Sequence, residues 1–276
     1  MGADLHLHST FSDGRLSPRE LVRLGQERGL TLLALTDHDS VNGLAEAWAA
    51  GQELALEVWA GVELGCDWQG REVHLLGLGL QNLDPLQEAL ARLRRGRDDR
   101  GKAMVERLQG LGLPITWEEV LAESGGRAVG RPHLARVLVH HGTVRNVDEA
   151  FFRYLDEGRP GYVQRYKLSP ATAIELIHTA GGLAMLAHPG MGITRSELNG
   201  LLALGLDGLE VDHPAHSVVE ARYLRHLAAS RGLLSTAGTD FHGDGDRRHA
   251  RFPGDIRLEE PAVLKLRQAL RGRRSI

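Results

Sequence analysis

A single cysteine, Cys66, stands in the 276 residues. A disulfide framework within the chain is therefore excluded, and so is a cysteine-rich zinc site. No stretch reaches the roughly 18 uninterrupted apolar residues that a membrane-spanning helix needs. A dominant charge is also lacking, since the formal net charge is only -3. No global basic field points to duplex DNA or to a membrane surface. The opening Met1-Gly2-Ala3-Asp4 lacks the basic segment and apolar core of a signal peptide. The expected location is the cytoplasm. Several catalytic signatures are missing as well. There is no Gly-x-x-x-x-Gly-Lys-[Ser/Thr] of a P-loop. Gly77-Leu78-Gly79 lacks the third glycine of a dinucleotide fingerprint. Neither a Gly-x-Ser-x-Gly elbow nor His-Glu-x-x-His occurs.

What is present suits a large α/β domain, or one domain with a sizeable insertion: 42% of residues are hydrophobic and 25% charged. The compositional anomaly is 14 histidines. Two of them open the chain, in Asp4-Leu5-His6-Leu7-His8-Ser9-Thr10-Phe11-Ser12-Asp13-Gly14. The alternation predicts a strand with Leu5 and Leu7 on one side and His6 and His8 on the other. Two adjacent imidazoles are costly to bury unless their nitrogens find partners, and a divalent metal is one such partner. Asp13, in the turn that follows, can add an oxygen ligand. A strand with an exposed polar face explains His-x-His alone equally well, so the rest of the chain has to decide.

Ser17-Pro18-Arg19-Glu20 predicts a capped helix that ends at Gly29. The apolar run Leu32–Leu35 predicts a buried strand that ends in Thr36-Asp37-His38-Asp39. A helix from Ser40 to about Leu56, a strand Val58–Leu64 carrying Glu63, a turn at Gly70 and a strand Val73–Leu78 carrying His74 follow. An arginine-rich helix then spans about Leu86 to Leu108. Residues 97–168 show only short helical patterns between Gly and Pro, and read as a helical insertion or cap. Strand-helix alternation resumes at 169. It places His188 after a strand Leu183–Ala187, a strand Gly208–Val211 before His213, and Asp240 and His242 after a strand Leu233–Ala237. A helix Leu264–Leu270 and a fraying basic tail Arg271–Arg274 close the chain. Alternation of this kind predicts a parallel, barrel-like α/β domain formed by 1–96 and 169–276. In a barrel the strand ends converge on one rim, so ligands far apart in sequence can meet there.

On these residues the chain resembles the PHP (polymerase and histidinol phosphatase) superfamily of metal-dependent phosphoesterases. The match lies in Asp4-Leu5-His6-Leu7-His8-Ser9 with Ser12-Asp13-Gly14, Thr36-Asp37-His38-Asp39, Gly61-Val62-Glu63, His74, Ala187-His188-Pro189 and Gly238-Thr239-Asp240-Phe241-His242. The resemblance implies a distorted (β/α)7 barrel with a trinuclear site. His6, His8, Glu63 and Asp240 would hold the first metal. Glu63, as a bridge, with His74 and His188 would hold the second, and Asp13, His38 and His242 the third. Some relatives have a histidine at the position of Asp13, so the third site here is the more oxygen-rich. Gly130-Arg131-Pro132-His133-Leu134-Ala135 and Gly158-Arg159-Pro160-Gly161-Tyr162-Val163 resemble the nucleotide-acting members, which include nucleoside 3',5'-bisphosphate phosphatases and a 5'-to-3' exoribonuclease. That likeness implies an insertion over the active site, with Arg131, His133 and Arg159 as substrate contacts. Arg131 and Arg159 also read as solvated loop arginines.

The chemistry agrees with the residue types. Clustered divalent cations neutralise phosphate oxygens and generate hydroxide for attack near neutral pH. Mixed imidazole and carboxylate ligands suit Mn, Zn or Fe, and two to three such ions are expected. Glu63 and Asp240 are the expected catalytic carboxylates, and Asp37 and Asp39 the expected partners of the imidazoles. For the general acid the residues offer His213 or a metal-bound water, with His216 a weaker option. The expected activity is hydrolysis of phosphate monoesters of small nucleotides. The alternatives are a 5'-to-3' exoribonuclease on short 5'-phosphorylated RNA, a histidinol-phosphate phosphatase, and a non-catalytic nucleotide-binding module. The arginines between Arg92 and Arg107 allow the RNA reading, and also suit a solvated helix face. The oligomeric state is not legible.

Overall fold

The computed structural model describes residues 2–125, 129–164, 167–190, 192–243 and 250–273. The elements follow in the order β1 (Ala3–Leu7), α1 (Pro18–Glu27), β2 (Leu32–Leu35), α2 (Leu44–Leu54), β3 (Glu57–Trp68), β4 (Arg71–Leu78) and α3 (Asp84–Gly110). Next come α4 (Trp117–Ser124), α5 (Arg131–His140), α6 (Val147–Ala150) and a π-helix (Phe151–Leu155). The chain then continues through α7 (Pro170–Thr179), β5 (Leu183–Leu186), α8 (Arg195–Leu202), β6 (Gly208–Asp212), α9 (Val218–Arg231), β7 (Leu234–Ala237) and α10 (Glu260–Arg273).

The helix starts follow their local chemistry. Ser17, Thr116, Thr194 and Ser217 each form a reciprocal capping box with the Glu three residues on. Each box satisfies amide donors that a helix start otherwise leaves open. Arg271 and Arg273, expected in a fraying tail, are instead helical in α10, and Asp207 holds Arg273. Arg274 lies outside the described residues.

The seven strands form one sheet in the order β1 to β7. Leu7 bridges in parallel to Phe241, just past β7, so the sheet nearly closes into a barrel. Leu5, Ala34, Leu76, Met185 and Ala237 pack in its core. The departure from a purely parallel barrel is β4, which runs antiparallel to both β3 and β5. A tight turn at Gln69-Gly70 reverses the chain between β3 and β4. The reversal has a consequence for chemistry. His74, the fourth of the eight residues of β4, thereby comes within reach of Glu63 on the neighbouring β3.

The chain divides into two compact units, residues 1–88 with 168–276 and residues 89–167. The second unit has an apolar core of its own, built on Met104, Leu108, Ile115, Val120, Leu134, Leu138 and Leu155. The first unit carries every expected metal ligand, and the second carries Arg131, His133 and Arg159. No described helix is long and apolar enough to cross a membrane.

Candidate metal centre

All five residues of β1 are buried, so the histidine side of the strand does not face water. His6 and His8 lie side by side, with ring centroids 5.1 Å apart. His6 Nε2 stands 3.3 Å from Glu63 Oε2 and 3.3 Å from Asp240 Oδ1. His8 Nε2 stands 3.2 Å and 3.1 Å from the same two oxygens. These four side chains can close around one ion. On the other oxygen of Glu63, His74 Nδ1 approaches to 2.9 Å and His188 Nε2 to 3.1 Å. Glu63 thus faces two ligand groups, one with each oxygen. Asp13 gathers the third group. Its Oδ1 lies 3.2 Å from His242 Nε2, and its Oδ2 3.7 Å from His38 Nε2. His8 joins that group too, and His38 also reaches Glu63 Oε2 with Nδ1 at 2.9 Å. The three expected groups therefore share members instead of standing apart.

Strand ends and tight turns build this crowding. Asp37 accepts from Ser9 N, Ser9 Oγ and Ser12 Oγ, each at 2.7 Å, and folds the turn that presents Asp13. Asp37 thus fixes a loop, where an imidazole partner was expected. Asp39 Oδ1 accepts from Gly65 N at 3.2 Å and ties the second strand end to β3. Asp39, His188 and Asp240 all have positive φ, at 47°, 30° and 49°. Such backbone costs about 1–3 kcal/mol at a non-glycine residue and persists only where neighbours hold it. Gly238 is required by close approach, because a Cβ there would stand 2.3 Å from His6 Cβ.

Two residues of this centre escaped sequence reading. Glu210, fully buried on β6, accepts from His6 Nδ1 at 3.0 Å through Oε1 and from His188 N at 2.7 Å through Oε2. Its signal was a carboxylate between the apolar Leu209 and Val211 at the centre of β6. Asp4, also fully buried, accepts from Thr239 N, Thr239 Oγ1 and Gly254 N, and so ties β1 to the chain after β7.

The residues fit metal ions. His6 Nε2, both ring nitrogens of His8 and Glu63 Oε2 are buried and make no hydrogen bond. Orphaned polar atoms in a protein interior are expensive, and here they converge on one another. The electrostatics agree. Burial works against charge on His6, yet Glu210, Asp240 and Glu63 hold its pKa well above the ordinary histidine range. Burial opposes charge on His74 too, and Glu63 with Glu72 lifts it to about 10. Asp13 and Asp240 overcome the same opposition at His242 and raise it to about 10. Burial would raise Glu63, but His38, His6 and His74 pull it well below the carboxylate range. Asp240 behaves alike, with His6 and His213 overcoming burial. A carboxylate cluster of this strength demands cations, which protons supply only at the expense of the lone pairs that bind metal.

His213 Nδ1 accepts from Ala215 N at 3.1 Å, which leaves Nε2 facing Asp240 Oδ2 at 3.4 Å. His216 donates from Nδ1 to Val211 O and accepts at Nε2 from Gly190 N. Both its nitrogens are occupied by backbone, so it is a strut and not the general acid it was weighed as. In the second unit, Arg131 lies between the rings of Phe151 and Tyr162 and donates to Leu155 O at 3.4 Å. His133 Nδ1 accepts from Gly130 N at 2.9 Å at the start of α5. Arg159 is exposed and stacks on the exposed Phe152.

A nearly closed seven-stranded barrel whose rim gathers overlapping His, Asp and Glu clusters defines a class, the multi-metal α/β barrels. Comparison with known proteins narrows it. The PHP domain model matches residues 4–160. The chain is 37% identical over 245 residues to a 5'-3' exoribonuclease of Haemophilus influenzae, covering 87% of this chain and 89% of that one. It is 37% identical over 250 residues to a 3',5'-nucleoside bisphosphate phosphatase of Chromobacterium violaceum, covering 88% of each. A crystal structure described as a putative metal-dependent phosphoesterase, from Bifidobacterium adolescentis, superposes with a TM-score of 0.86 at 32% identity, over 98% of this chain and 96% of that one. The chain belongs to the PHP family.

Proposed function

We propose that this PHP-family phosphoesterase hydrolyses phosphate monoesters of small nucleotides, either nucleoside 3',5'-bisphosphates or nucleoside monophosphates. The observation that carries the reading is the set of orphaned buried atoms on His6, His8 and Glu63, which converge where a metal would sit. Two to three ions of Mn, Zn or Fe type suit this mixture of imidazole and carboxylate. When bound, such ions neutralise the phosphoryl oxygens and activate water for in-line attack.

The side chains do the rest. His6, His8 and Asp240 hold one flank of Glu63, and His74 and His188 hold the other. Asp13, His38 and His242 form the third group. Glu63 uses both oxygens, so it fixes the spacing between its two flanks. His213 accepts at Nδ1 from Ala215 N, so its one ring proton lies on Nε2 against Asp240; we assign it to orienting that carboxylate, with the proton for the leaving oxygen coming from water. Arg131, His133 and Arg159 are the residues we assign to substrate phosphate. A guanidinium suits that task because its fork matches phosphate oxygens. Duplex DNA is not the substrate in this reading, and the reaction is placed in the cytoplasm, with nucleotide pools.

The equal similarity to an exoribonuclease supports a second reading, stepwise 5'-to-3' removal of nucleotides from short 5'-phosphorylated RNA. Side-by-side turnover separates the two. Nucleoside 3',5'-bisphosphate, a short 5'-phosphorylated RNA and histidinol phosphate would be compared with Mn present. The first substrate is expected to have the highest kcat/KM. An ordered ladder of RNA products at higher kcat/KM would select the exoribonuclease. Preference for histidinol phosphate would overturn both.

A further inference from the structure

We propose that Glu210 is a positioning residue that sets two metal positions at once. The proposal rests on the metal-centre reading above but not on any substrate. Glu210 sits in mid-strand on β6, between Leu209 and Val211, and is completely buried. It is not among the shared oxygens that face both His6 and His8, a place held by Glu63 and Asp240. Its two oxygens go to different parts of the centre. Oε1 takes His6 Nδ1 at 3.0 Å, and Oε2 takes the backbone N–H of His188 at 2.7 Å.

Each contact has a distinct effect. An acceptor on His6 Nδ1 keeps the proton there and leaves Nε2 as a lone pair aimed at Glu63 and Asp240. A partner on the far nitrogen fixes tautomer and ring orientation, and makes the ligating nitrogen more basic. The second contact acts on backbone. His188 has φ 30°, which an L-residue adopts only when held. Glu210 holds its N–H from one side. The His216 strut, through Gly190 N, holds the loop two residues further on. With the backbone pinned, His188 Nε2 reaches Glu63 Oε1, on which His74 also converges. One carboxylate thus orients the ring of the first group and the loop of the second. A glutamine cannot substitute: it has one acceptor oxygen, and its amide hydrogens would face a donor.

The test uses the whole chain and Co(II), whose visible absorption reports ligand geometry. Glu210→Gln should remain folded by circular dichroism. Both the first and the second cobalt-binding steps should weaken by about 10–100-fold, the range for loss of a ligand's outer partner, and the band shape should change. Asp207→Asn, which removes a carboxylate from the pairing with His178 and Arg273, should leave both steps and the band unchanged. Wild-type cobalt affinity at either step in Glu210→Gln overturns the proposal, and so does an equal loss in Asp207→Asn. If Glu210→Gln does not fold, nitrogen NMR of the zinc-loaded wild type decides. His6 protonated at Nδ1 and ligating through Nε2 supports the role, and the reverse tautomer overturns it.

Discussion

The metal rim and the region where β5 and β6 begin use the same residue types to opposite ends. Near those strand starts, His178 Nε2 meets Asp207 Oδ2 at 2.9 Å, the Arg273 guanidinium pairs with the same side chain, and Ala184 N donates to that carboxylate at 2.7 Å. Histidine, acid and arginine are paired there. At the rim, carboxylates and imidazoles crowd together, and among the described residues the buried Nε2 of His6 and both ring nitrogens of His8 have no hydrogen-bond partner. The first arrangement is complete as protein. The second becomes complete only with cations from outside. Histidine and carboxylate in proximity are thus not the mark of a metal site; unmet buried lone pairs are.

The largest expected effect falls on Glu63, which serves both flanks. Glu63→Ala should lower kcat/KM for nucleoside bisphosphate by about a thousandfold or more, since metal stabilisation of the transition state is worth several kcal/mol. Steady-state kinetics on a variant shown to be folded checks this. Asp207→Asn should leave kcat/KM unchanged within about twofold.

Next is metal removal and its pH dependence. In the metal-free protein His74 and His242 titrate near 10, against 6.5 for an ordinary histidine. Protons held by the folded state stabilise it fully below the unfolded value, and that stability is lost as pH rises from about 6.5 to about 10. The sign is reversed for Glu63 and Asp240, whose lowered pKa stabilises above the usual carboxylate range and is lost as pH falls through the lowered value. Thermal melts with a chelator should therefore fall across the alkaline window. Melts with bound metal should stay flatter there, because the ion replaces the protons. Parallel slopes would break the contrast between the two regions.

The smallest effect belongs to the paired region. Asp207→Asn weakens the contacts to His178 and Arg273 and should cost about 2 kcal/mol of stability, the scale of a charged hydrogen bond. Urea melts give the value, and the metal content should stay at the wild-type level.

The gathering of His, Asp and Glu at the rim was legible where short motifs follow apolar runs, as at His38, His188 and Asp240, while Glu63 and His74 stand inside their strands. His6 and His8 declare their common side by alternation alone. The Gly70 turn was legible too, but not its consequence that β4 runs back antiparallel and brings His74 to Glu63. Glu210 was hidden because an acid between the apolar Leu209 and Val211 looks like an irregularity. Only the nearly closed barrel carries it to His6, which lies 204 residues away. Asp37 departs from its expected role for a related reason. Proximity in sequence to His38 suggested an imidazole partner, whereas the carboxylate of Asp37 serves Ser9 and Ser12. The π-helix at Phe151–Leu155 follows α6 without a sequence break and read only as a short helical pattern.

The most direct test of the central claim is turnover of a nucleoside 3',5'-bisphosphate before and after chelation, with metal content measured on the same samples. Two or more divalent ions per chain, activity lost on chelation and regained with Mn or Zn, is the predicted result. Full turnover by protein shown to hold no metal would contradict it.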